Sequence, residues 1–66
     1  MNGIVKTLNE DKGFGFILGE DGNEYFFHKS AVEQGYSFDR IVKRMAVTFE
    51  PTDSPKGPRA EDVAPA

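Results

Sequence analysis

Sixty-six residues with a net charge of −3, no cysteine and one histidine exclude several classes of protein at once. A chain near this length buries only about 60% of its unfolded surface, so its core is small, and without thiols neither a disulfide nor a thiolate metal site can staple it. The acidic balance, 8 Lys and Arg against 11 Asp and Glu, argues against a polycation that coats nucleic acid indiscriminately.

The lone His28 makes no metal site without several carboxylate partners at the right geometry. No basic segment followed by an apolar stretch opens the chain, and no run approaches the ~18 apolar residues of a membrane span. These features point to a cytoplasmic protein with no membrane partner, folded as a single domain over residues 1–66.

In chain order, Gly3–Leu8 is short and rich in β-branched residues and ends at Asn9-Glu10-Asp11-Lys12, which reads as a strand and a turn. Phe14–Leu18 is a second strand, closed by a loop containing Asp21-Gly22, a hairpin signal. Glu24–His28 is a third. Ser30-Ala31-Val32 suits a short helical turn, and Ser37 is an N-cap candidate for one more turn before Val42. Ala46–Glu50 is a fourth strand, Pro51–Pro58 a Pro/Gly/Ser loop, and Arg59–Val63 the last strand. Short strands joined by turn signals imply a small all-β barrel or sandwich.

Six aromatic or imidazole rings fall between Phe14 and His28. Side chains alternate across a strand, so Phe14, Phe16 and Leu18 share one face and Gly13, Gly15, Ile17 and Gly19 the other. Hydrophobicity alone buries the phenylalanine face. The third strand carries rings on both faces, so one set must point outward whichever is buried. Glu24 and His28 mark the more polar face, which puts Tyr25 and Phe27 inside and Phe26 outside. If the two strands pair as a hairpin, Phe14 and Phe16 extend that outward face. An exposed ring cluster flanked by Lys6, Lys12 and Lys29 marks a binding site. Flat rings beside lysines suit unstacked bases joined by phosphates, each stack worth roughly 1–3 kcal/mol.

These residues resemble the bacterial cold shock protein family. Lys12-Gly13-Phe14-Gly15-Phe16-Ile17 is similar to its first ribonucleoprotein motif and Phe26-Phe27-His28 to its second. Val5-Lys6, Asn9, Ser30-Ala31 and Lys56-Gly57-Pro58 also fit, in order, along nearly the whole chain. The resemblance implies a five-stranded antiparallel closed barrel of the oligonucleotide-binding type, with a nucleic-acid surface on the first three strands. It implies base contacts at Phe14, Phe16, Phe26 and His28, flanking lysines at Lys6 and Lys12, a loop aromatic at Tyr36 and a basic loop position at Lys56. Lys29 stands where the family commonly has phenylalanine and offers a phosphate contact instead. Thr7 replaces a principal stacking tryptophan and Leu8 another aromatic. The segment Phe38–Arg44 lacks the family's glycine turn.

The function expected is single-stranded RNA or DNA binding by a monomer, as an RNA chaperone or antiterminator, with no cofactor and no small-molecule substrate. The alternative is a protein-interaction domain of the same fold with weakened nucleic-acid affinity, for which the cluster Arg40, Lys43 and Arg44 offers a surface. That cluster also reads as an ordinary solvated segment. An enzyme is not expected: His28 and Ser30 are an i, i+2 pair with no third group to complete a catalytic set.

Overall fold

The computed structural model describes residues 1–66. Five strands, β1 (Asn2–Asn9), β2 (Phe14–Gly19), β3 (Glu24–His28), β4 (Ala46–Ser54) and β5 (Gly57–Pro65), close into a barrel in the order β1-β2-β3-β5-β4. Single 3-10 turns lie at Lys29–Ala31 and Phe38–Arg40, the second capped by the Ser37 hydroxyl, which accepts from the Asp39 N–H.

The five-stranded barrel is the one expected, and four of its five seams are antiparallel. The fifth, β3 against β5, is parallel. Parity requires this: directions can alternate completely around a closed ring only when the strand number is even. The seam is thin, with one ladder pair, Phe26 with Arg59, and one bridge beyond it, Val32 with Val63.

Alternation decides the interior. Val5, Ile17, Tyr25, Phe27, Val47, Phe49, Ala60 and Val63 point inward and pack with Ala31 and Ile41 into one core. The glycine face of β2 is buried as well. A Cβ at Gly15 would stand 2.7 Å from the Thr7 carbonyl oxygen and 2.8 Å from the Phe27 ring. The missing side chain therefore lets β1 and Phe27 close on β2, which forces Phe14 and Phe16 to the outside.

Two bulges adjust the pattern. In β1 the register steps from Val5–Ile17 to Thr7–Phe16, so Lys6 is the extra residue and both Lys6 and Thr7 are exposed. In β5, Asp62 adopts φ 51° and two residues oppose one of β4, which leaves consecutive Val63 and Ala64 both buried.

One sequence expectation needs correction. Pro51–Pro58 is not a loop: β4 runs on to Ser54, β5 starts at Gly57, and Pro55-Lys56 is a two-residue hairpin turn. Pro51 is tolerated because β1 pairs with β4 only over Ala46–Thr48, so the strand beyond has a partner on one side. Arg44, in the segment lacking a glycine, takes φ 70°, a left-handed conformation costing about 1–2 kcal/mol for a residue with a Cβ.

Hydrogen bonds to the Asp21 carboxylate tie the β2–β3 hairpin. The Tyr25 hydroxyl donates to Asp21 Oδ2 at 2.6 Å, and the Asn23 N–H donates to Oδ1. The tyrosine bond, followed by the Asn23 backbone bond, holds the Asp21 carboxyl below its ordinary value of 3.8, and the same carboxylate raises Tyr25 above 10.0. The sign follows from linkage. Stability from a lowered carboxyl is present above 3.8 and lost as pH falls through the folded value, whereas stability from a raised phenol is present below 10.0 and lost as pH rises through its folded value. Urea melts of wild type and Tyr25→Phe are expected to differ by a constant amount between these limits and to converge outside both. A difference independent of pH would show that the bond contributes nothing.

Candidate nucleic-acid interface

The outer face of β1, β2 and β3 is built in rungs by the ladder register. Asn9, Phe14 and His28 lie side by side; the next rung is Thr7, Phe16 and Phe26; the third is Ile4, Leu18 and Glu24. Phe14, Phe16 and Phe26 meet at centroid distances of 5.7 to 6.4 Å, with Phe16 edge-on to both others and Phe14 tilted 32° from Phe26. All three are half-buried, their faces only partly shielded by one another. Edge-to-face contact locks the rings without covering them.

His28 adjoins Phe14 and is half-buried. The Ser30 N–H donates to His28 Nδ1 at 3.2 Å, and the Ser30 hydroxyl lies 2.9 Å from the same nitrogen. With Nδ1 engaged as an acceptor, the proton of the neutral ring sits on Nε2, which is free to donate to a ligand. Ser30 thus orients the histidine.

The lysines differ in readiness. Lys6 Nζ is 2.7 Å from Glu24 Oε2, an exposed ion pair that reaches over β2. Lys12, Lys29 and Lys56 form no ion pair. The Lys29 stem lies over Gly13, where an added Cβ would stand 2.8 Å from its Cδ, and this keeps Lys29 beside the Phe14–His28 rung. Lys56 is at the tip of the β4–β5 turn. Tyr36 is set apart: it is 52% exposed and makes no contact with the three clustered rings, bordering instead a cleft shared with Arg40, Met45 and Pro65. Of the residues that depart from the family, Thr7 stands in the ring surface beside Phe16, whereas Leu8 packs against the core.

Because Glu24 occupies Lys6, a phosphate arriving there would have to compete with the carboxylate for one ammonium. An exposed pair is worth about 0.2–1 kcal/mol. Glu24→Gln is therefore expected to tighten oligonucleotide binding by up to about fivefold at low salt, read by fluorescence anisotropy. Weaker binding by the variant would mean that Glu24 positions Lys6 instead of competing for it.

Sequence reasoning missed Arg59. Its guanidinium carbon is 5.7 Å from the Phe26 ring centre, on the far side of the parallel seam. Its place beside Phe26 depends on the seam's register, which no local pattern reveals.

A small closed barrel with partly exposed rings on two adjacent strands fits the oligonucleotide-binding class. The 'Cold-shock' DNA-binding domain model matches residues 1–66. Cold shock protein 1 of Lactiplantibacillus plantarum is 47% identical over 64 residues, covering 97% of this chain and 96% of its own. The cold shock-like protein CspE of Buchnera aphidicola subsp. Acyrthosiphon pisum is 45% identical over 96% of this chain and 91% of its own, and CspC of Bacillus cereus 41% identical over 96% and 95%. The chain belongs to the cold shock domain family, whose members bind nucleic acid and are not enzymes. No helix is long and apolar enough to cross a membrane.

Proposed function

We propose that the protein binds single-stranded RNA or DNA as a monomer in the cytoplasm and acts as an RNA chaperone or antiterminator. The observation that carries this reading is the half-buried cluster of Phe14, Phe16 and Phe26 on one outer face, with His28 at its end. Bases stack on these rings, and His28 donates from Nε2. Lys12 and Lys29 meet phosphates near the first rung, Lys6 does so once released from Glu24, and Lys56 and Tyr36 engage the strand beyond the rings. A base held on a ring cannot pair, so weak, mobile binding opens hairpins without an energy source. The acidic net charge and the absence of a ring at Thr7 keep the binding weak, which suits this role.

The test is amide NMR of labelled protein titrated with oligo-thymidine and oligo-uridine at low and near-physiological salt. Shifts concentrated at Lys6–Thr7, Lys12–Ile17, Phe26–Lys29, Tyr36 and Lys56, shrinking as salt rises, are the expected result. No shifts at millimolar oligonucleotide would sink the proposal.

A further inference from the structure

We propose that Arg59 grips a backbone phosphate of the bound strand, making β5 and the β4–β5 turn a second charged flank of the ring cluster. The inference rests on the reading of the rings as a base-stacking surface. Bases laid on ring faces leave their phosphates along a flank. On the β1 flank the cation at hand, Lys6, is already held by Glu24. On the β5 flank, Arg59 and Lys56 line a groove of about 550 Å³ together with Phe16, Phe26 and the turn between Ser54 and Pro58. A groove of this size is within the range that holds small ligands.

The arginine is poised and unsatisfied. No side-chain N–H of Arg59 donates a hydrogen bond within the protein. Its Nε is buried without a partner. The paired carboxylate, Glu61 Oε2, is 4.0 Å from Nη2, beyond hydrogen-bond reach. An arriving acceptor cannot reach the buried Nε, but the side chain is 39% exposed and its Nη groups have no hydrogen-bond partner in the protein to give up. The Phe26 ring holds the guanidinium in place by its face, which reduces what is lost on binding. A planar fork matches two oxygens of one phosphate, and a point-charge ammonium does not.

The experiment measures oligo-thymidine affinity against salt for wild type, Arg59→Gln, Arg59→Lys and the charge-matched control Lys43→Gln, which lies in the exposed turn before β4. Arg59→Gln is expected to bind about tenfold more weakly at low salt. Its slope of log affinity on log salt should shrink by about 0.7, the contribution of one phosphate on a single strand. Arg59→Lys should keep the slope and lose part of the affinity. Lys43→Gln should shift both far less. Wild-type affinity and slope in Arg59→Gln would overturn the proposal. So would a loss of affinity at unchanged slope, the signature of a base-edge contact or a displaced Phe26. Failure of the wild type to bind at all would instead defeat the stacking reading, and this inference with it.

Discussion

Phe26→Ala is expected to weaken oligonucleotide binding by about 5- to 150-fold, the equivalent of the roughly 1–3 kcal/mol carried by one base–aromatic stack. The upper part of that range is the better expectation, because Phe26 is the hub of the cluster. It lies 5.7 Å from both Phe14 and Phe16 and carries Arg59 on its other side. Its removal frees both neighbouring rings and the guanidinium together. The fold should survive, since the lost ring pairs contribute about 0.5–1.5 kcal/mol each beyond the area they bury and the ring lies outside the core. Anisotropy titrations and a far-UV melt of the same sample would separate the two effects. Unchanged affinity in a folded variant would mean that the ring surface is not used.

Phe27→Ala, one residue along, is expected to do the opposite. Phe27 is fully buried and packs against Phe38 and beneath Gly15. Truncating a buried phenylalanine costs about 3–5 kcal/mol. A core in a chain this small rarely supplies more than about 3–5 kcal/mol in total. The magnitudes decide the outcome: the variant should be largely unfolded at room temperature, losing its melting transition and its binding together. A cooperative melt near the wild-type temperature would contradict the placement of Phe27 at the centre of the barrel. Two adjacent phenylalanines on one strand thus face opposite ways, one outward in the ring cluster and one inward in the core.

The division was legible in the sequence because Glu24 and His28 sit on the same face as Phe26, and a strand cannot bury a carboxylate as readily as a tyrosine. The buried glycines of β2 were legible for the same reason, as the complement of an aromatic face. What stayed hidden depends on contacts between distant segments. The bulge at Lys6 leaves no local mark, because Val5-Lys6-Thr7 alternates like any strand; only the pairing with β2 turns Thr7 outward beside Phe16. Pro51, Pro55 and Pro58 read as a loop because proline removes a ladder donor, yet β4 has no β1 partner at Pro51, Pro55 lies in the turn and Pro58 follows it near the start of β5. Tyr36 was carried over by resemblance alone, and its position in a separate cleft depends on the fold of a segment whose own sequence has little periodicity.

The parallel seam has a thermodynamic consequence. A hoop whose β3–β5 joint carries a single ladder pair should loosen first at that clasp, so amide exchange through partial opening is expected to be fastest where β3 and β5 meet. A strand of nucleic acid lying from Phe26 to Arg59 would bridge that clasp from outside. Ligand that binds only the closed form stabilises it by mass action, about 2.7 kcal/mol at a concentration a hundred times Kd. Saturation with oligonucleotide should therefore raise the melting temperature and slow exchange most at the clasp. On the proposed binding mode, the place that meets the ligand would also be the place that the ligand fastens.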